Sequence, residues 1–111
     1  MILSDATIAE VQSALRDQTS DWNGFGSVRV FGDFAWPIAG KTGTAQNDMD
    51  PRNDLPHSWF AGFGPYGEEA TITSVVMVEN AGEGVSFAAP ITKQIYTSYL
   101  SSELAVSPPD E

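Results

Sequence analysis

Apolar residues first recur at helical spacing. Ile8, Val11 and Leu15 fall on one face of a segment running from Ser4 to Arg16, with Ser4 or the Thr7-x-x-Glu10 capping box as its start. This predicts a helix whose apolar stripe needs a surface to cover. From Gln18 to Gly26 the chain turns to Asp, Ser, Asn and Gly, which predicts a loop anchored by Trp22 and Phe25. Val28 to Phe31 alternates weakly and reads as a short extended piece. Trp36 to Gln46 predicts a strand, and Pro37, which has no N–H to give to a ladder, puts it at a sheet edge or Pro37 at a strand's first residue. The polar, twice proline-broken stretch from Asn47 to Pro56 predicts a connecting loop. Ser58 to Gly64 and the β-branched run Thr71 to Glu79 predict two more strands, joined by a turn over Pro65 to Glu69. Their short connections make the three strands antiparallel. After the Gly82-Glu-Gly84 break, Ala88 to Leu100 predicts a closing helix. Pro90 is tolerated in its first turn, and Ile91, Ile95 and Tyr99 share a face. Ser107 to Glu111 reads as a disordered tail. The expected fold class is α+β, an antiparallel three-stranded sheet flanked by N- and C-terminal helices, in one domain over residues 1–111.

Composition narrows the partners more than the fold. The chain is 41% apolar and has three Trp, three Tyr and six Phe, enough to bury a small core in 111 residues. Fifteen Asp and Glu against five Lys and Arg give a formal charge of −10, which disfavours nucleic acid and anionic membrane surfaces. With no cysteine there is neither a disulfide nor a thiolate ligand. No apolar run approaches the roughly 20 residues that span a bilayer, and the start Met-Ile-Leu-Ser-Asp lacks the basic region of a signal peptide. An anchor or export signal is therefore expected outside this sequence.

Chemistry concentrates at Ala39-Gly-Lys-Thr-Gly-Thr-Ala-Gln46. Lys41-Thr42-Gly43 is one of three signatures shared by serine acyltransferases that act on penicillins and related peptides. The other two are missing: Ile38 and Pro90 stand three places before the two lysines, so no Ser-x-x-Lys exists, and no Ser-x-Asn occurs. Taken alone, Lys-Thr-Gly-Thr on a strand is more often a solvated edge than a substrate clamp. The flanking segments reverse that order. Ile38-Ala-Gly-Lys-Thr-Gly-Thr-Ala-Gln46, His57-Ser-Trp-Phe-Ala-Gly-Phe-Gly-Pro65, Val76-Met-Val-Glu-Asn80 and Phe87-Ala-Ala-Pro-Ile91 occur in the order seen in one family. The chain resembles the C-terminal part of the transpeptidase domain of class B penicillin-binding proteins, most of all the elongation type, penicillin-binding protein 2, with the septal type close behind.

That resemblance implies a partial β-lactamase/D,D-transpeptidase-like fold. The missing serine helix and two further strands would belong to other polypeptide, and the Thr71–Glu79 strand would present an unpaired edge open to self-association. It implies an enzyme that cross-links peptidoglycan stem peptides through an acyl-serine, is inhibited by β-lactams and works at the outer face of the bacterial cytoplasmic membrane. It implies no metal or organic cofactor, and this chain alone should be inactive. Lys41 would be an electrostatic helper at the cleft floor, Thr42 and Thr44 would grip the ligand's carboxylate, and the Thr44 N–H would be one oxyanion donor. Gly43 would let a flat ligand lie against the strand, and Gln46 would line the cleft, although a polar strand end explains it equally well. His57 reads as structural, and Trp59, Phe60 and Phe63 as aromatic packing.

Three other readings compete. Gly40-Lys41-Thr42 ends like a phosphate-binding loop, but position 35 is Ala instead of Gly, and no helix start follows. Asp48, Asp50 and Asp54 suggest calcium, but Pro51 and Arg52 intrude and the loop's glycine is absent. A non-catalytic interaction or scaffold fragment of the same fold shares the missing serine, and ligand behaviour alone separates it from a substrate wall.

Overall fold

A computed structural model describes residues 2–23, 26–46 and 55–103 of the chain. The loop expected at 47–56 lies mostly outside these residues, as do the three aspartates of the calcium reading, the Phe25 anchor and the tail from Ser107.

Helix α1 spans Asp5–Ser20. Ser4 is its N-cap, its Oγ accepting from the Thr7 N–H at 3.1 Å, and Asp5 complements the positive end of the helix dipole. The helix runs four residues past the expected Arg16 because its polar last turn acquires tertiary partners. The Thr19 hydroxyl, fully buried, donates to the Ile38 carbonyl, and Arg16 Nη1 donates to the same oxygen at 3.1 Å. This end of α1 therefore fixes where the chain enters the sheet. The expected stripe is only partly covered: Leu15 is half-buried, while Ile8 and Val11 stay 40% and 51% exposed.

Val28–Phe31 forms a single helical turn, α2, not the extended piece that its alternation suggested. Over four residues a period of two is hard to tell from a helical turn. The residues actually buried, Val28 and Phe31, are three apart, as one helix face requires. Ser27 Oγ donates to the Gln18 carbonyl at 3.1 Å and ties α2 to α1.

The sheet consists of β1 (Ala39–Ala45), β2 (His57–Gly64) and β3 (Ile72–Val78), antiparallel and in the order β1-β2-β3. Both outer strands have open edges among the described residues, β1 on one side and β3 on the other. Pro37 precedes β1 instead of lying within it, and its carbonyl accepts from the Tyr66 N–H at 2.6 Å. Phe60 stands opposite Thr42 and Val76, and Gly62 stands opposite Gly40 and Ser74, so these residues share one face. That face meets α3, Ala88–Glu103. Lys41, Trp59, Ala61, Val75 and Met77 share the opposite face, where Val75 is 64% exposed.

The core joins Phe31, Trp36, Ile38 and Phe60 to Ala88, Ala89, Tyr96 and Leu100. Phe60 stacks on Phe31 with ring centroids 5.1 Å apart. The buried face of α3 is not the expected one: Ile91 and Ile95 are 40% and 42% exposed, while Thr92 and Tyr96 are fully buried. Polar satisfaction and side-chain size explain the rotation. Tyr96 Oη pairs with Ser74 Oγ at 2.7 Å, Thr92 Oγ1 donates to the Ala88 carbonyl, and Ala88 and Ala89 are small enough for close approach to β2. Burial pushes the Tyr96 phenol above its ordinary pKa, against the lowering effect of its bonds to Ser74.

Candidate functional site

Strand β1 places the motif at a sheet edge. The alternation of a strand splits Lys41-Thr42-Gly43-Thr44 between two faces. Thr42 and Thr44 point to the α3 side and line a pocket of about 260 Å³ together with Gly26, Arg29, Glu83, Gly84 and Val85. Lys41 points the other way. It is exposed, and its ammonium donates to the Thr42 carbonyl at 3.2 Å. Gly43 shares the Lys41 face, where a Cβ would stand 3.2 Å from the Trp59 Cβ; the missing side chain makes room for that ring. Gln46 follows the strand, exposed, and does not line the pocket. The structure thus brings Thr42 and Thr44 together and sets Lys41, Gly43 and Gln46 outside the cavity they form.

The pocket's inner wall is the segment between β3 and α3. Its backbone is held by Ser58, whose Oγ donates to the Glu83 carbonyl at 3.0 Å and accepts from the Ala88 N–H at 2.9 Å. The Gly82 N–H donates to the Pro56 carbonyl at 3.0 Å, and the Asn80 N–H donates to His57 Nδ1 at 3.0 Å. His57 thus has a structural partner. Gly84 lies so close to the strands that a Cβ there would come within 2.5 Å of the Trp59 carbonyl and 2.8 Å of the Gly43 carbonyl. The outer wall is α2, which carries Arg29 on its exposed side between the buried Val28 and Phe31.

Sequence reading missed Arg29 and Gly84. Arg29 sat in a stretch read as extended, so nothing aimed it at β1. Gly84 reads first as a helix break, although a Gly-x-Gly ahead of a helix is also the signal for close backbone approach. Gly40, which invited the phosphate-loop reading, has another reason to be glycine: the Phe60 ring occupies the place of its Cβ, 2.5 Å away. Because β1 continues through Ala45, no helix begins at Lys41 to receive phosphate, and that reading falls.

Sheet, closing helix and edge motif make a partial D,D-transpeptidase-like fold. The model of the penicillin binding protein transpeptidase domain matches residues 1–97, and the chain belongs to that family, as a fragment of a class B transpeptidase domain. Peptidoglycan D,D-transpeptidase MrdA of Haemophilus influenzae is 34% identical over 93 residues, which cover 74% of this chain and 14% of that protein. The crystal structure of Pseudomonas aeruginosa PBP2 in complex with WCK 5153 superposes with a TM-score of 0.76 at 33% identity, covering 93% of this chain and 22% of that one. Penicillin-binding protein A from Mycobacterium tuberculosis, in its ceftriaxone acyl-enzyme complex, gives a TM-score of 0.52 at 36% identity over 59% of this chain and 16% of that one. The chain therefore spans only a minor part of each relative. Among the described residues, no helix is long and apolar enough to cross a membrane.

Proposed function

We propose that this chain supplies the substrate- and β-lactam-binding wall of a bacterial peptidoglycan D,D-transpeptidase of the elongation type, with the serine nucleophile outside these 111 residues. The observation that carries the reading is the convergence of Thr42 and Thr44 on one pocket beside an open strand edge. An edge strand can take an extended peptide alongside it, and two hydroxyls at its end can hold that peptide's terminal carboxylate. The same two hydroxyls would hold the carboxylate of a penicillin. The Thr44 N–H would serve as one donor to the oxyanion of the tetrahedral intermediate. Lys41, on the opposite face, acts from the side where the nucleophile-bearing polypeptide packs, covering Val75 and Met77. Its ammonium there favours an anionic substrate and negative charge on the serine oxygen without being the base itself. Gln46 closes the strand end. The parent enzyme would work at the outer face of the cytoplasmic membrane.

The test is to mix the chain with a polypeptide carrying the Ser-x-x-Lys and Ser-x-Asn segments and to follow covalent labelling by a fluorescent penicillin. Label is expected on the serine-bearing partner only when both pieces are present. A hydroxyl bonded to a carboxylate contributes about 1.5–3 kcal/mol, so a T42V/T44V double variant, which keeps the Thr44 N–H, should acylate at least about tenfold more slowly. A complex that forms without taking label would favour the scaffold reading, in which the exposed faces of the sheet serve assembly alone.

A further inference from the structure

We infer that Arg29 is the cationic partner of the ligand carboxylate at the Thr42–Thr44 pocket, so that this pocket selects carboxylate-terminated ligands over amidated ones. The inference rests on the proposed substrate wall and adds to it a charged residue from outside the motif.

The argument begins with charge. A carboxylate approaching a chain of net charge −10 meets repulsion, and two neutral hydroxyls do not offset it. Lys41, the cation of the motif, stands on the other face of β1. The other described basic groups are committed elsewhere: Arg16 to the Ile38 carbonyl and Lys93 over the Phe34 ring. Arg29 lines the pocket, and its guanidinium has no hydrogen bond or ion pair among the described residues. Its base is held in place by the neighbouring Val28 and Phe31, both buried, and by the Ser27 tether to α1. A planar guanidinium presents paired N–H donors that match a carboxylate, which adds directionality to charge. Gly26, whose absent Cβ would stand 4.0 Å from Thr42 Oγ1, keeps the space beside that hydroxyl open.

Glu83 lines the same pocket and opposes Arg29. An acid at this point lowers the affinity for an anion, so its neutralisation should strengthen binding. A site evolved for a cation would show the reverse dependence on both residues.

The test is an NMR titration of the full 111-residue chain with N-acetyl-D-alanyl-D-alanine and, separately, with its C-terminal amide. The free acid should shift the Thr42 and Thr44 amides, and the amide should bind about tenfold more weakly, the usual worth of a charge-assisted hydrogen bond. R29Q should weaken the acid about tenfold and leave the amide unchanged, R29K should restore part of the loss, and E83Q should tighten the acid by about twofold to fivefold. Because Arg29 is exposed, R29Q should melt with the parent chain, which separates a binding role from a structural one. If the acid shifts β1 equally in the parent and in R29Q, the Arg29 inference fails while the substrate wall stands. If neither ligand shifts Thr42 or Thr44 in the parent chain, the wall itself fails and the inference falls with it.

Discussion

Replacing Gly84 with alanine is expected to destabilise the fold by about 1–3 kcal/mol and to remove the ligand response at Thr42 and Thr44. The clash is with atoms that cannot step aside. An alanine Cβ would stand 2.5 Å from the Trp59 carbonyl oxygen, 2.8 Å from that of Gly43 and 3.0 Å from the Thr42 Cβ. The first two are backbone atoms of adjacent, paired strands, so relief requires the segment before α3 to withdraw from the sheet. Withdrawal breaks the paired bonds of Ser58 to the Glu83 carbonyl and the Ala88 N–H, and it opens the pocket's inner wall. The effect is steric and separable from backbone strain: Gly82, two residues earlier, has φ +118°, and alanine there would suffer mainly from its conformation. Urea denaturation gives the stability change, and an NMR titration with N-acetyl-D-alanyl-D-alanine gives the site. An unchanged midpoint together with unchanged titration shifts would show that Gly84 does not seat against the strands as described.

Phe60→Ala should cost more, about 3–5 kcal/mol, the usual range for truncating a buried phenylalanine. For a domain whose total stability is about 5–15 kcal/mol, this approaches unfolding. Phe60 is fully buried and stacks on Phe31, linking β2 to α2. Its ring also lies over Gly40 and Gly62, standing 2.5 Å and 2.6 Å from where their Cβ atoms would be. Removing the ring leaves two strand glycines with nothing above them, at the point where β1 enters the motif. Glycine in a strand has weak intrinsic preference for it, so β1 should fray next to Lys41. Hydrogen exchange would register this as lost protection in β1 even at temperatures where the rest of the variant remains folded. A cost below about 1 kcal/mol would mean that the aromatic cluster does not carry the core.

The three strands were legible because each carries a local signal: β-branched residues in β3, an aromatic run in β2, and ahead of β1 a Pro37 that cannot donate to a ladder and so marks where pairing starts. Both long helices were legible in position but not in orientation. Ile91 and Ile95 outrank Thr92 and Tyr96 on any hydropathy scale, yet Tyr96 is the residue whose hydroxyl meets Ser74 across the sheet. A partner on another element leaves no trace in local periodicity. The same holds for Thr19 and Arg16, whose shared bond to Ile38 extends α1 beyond its apolar stripe. At the site, the motif's strand was legible, and strand alternation already required Lys41 and Thr42 to face opposite ways. What the sequence concealed was the opposite wall of the pocket. Arg29 and Gly84 lie 13 residues before and 42 residues after Thr42 in the numbering, and only the packing of α2 and of the segment before α3 on β1 brings them together.

The most direct measurement is a crystal structure of this chain combined with a polypeptide that carries the Ser-x-x-Lys and Ser-x-Asn segments and acylated by a penicillin. The ligand's carboxylate should lie on the α3 side of β1, with its oxygens about 2.6–3.0 Å from Thr42 Oγ1 and Thr44 Oγ1. A carboxylate bound on the Lys41 face, remote from both hydroxyls, would contradict the assignment of this strand as the wall that holds the substrate.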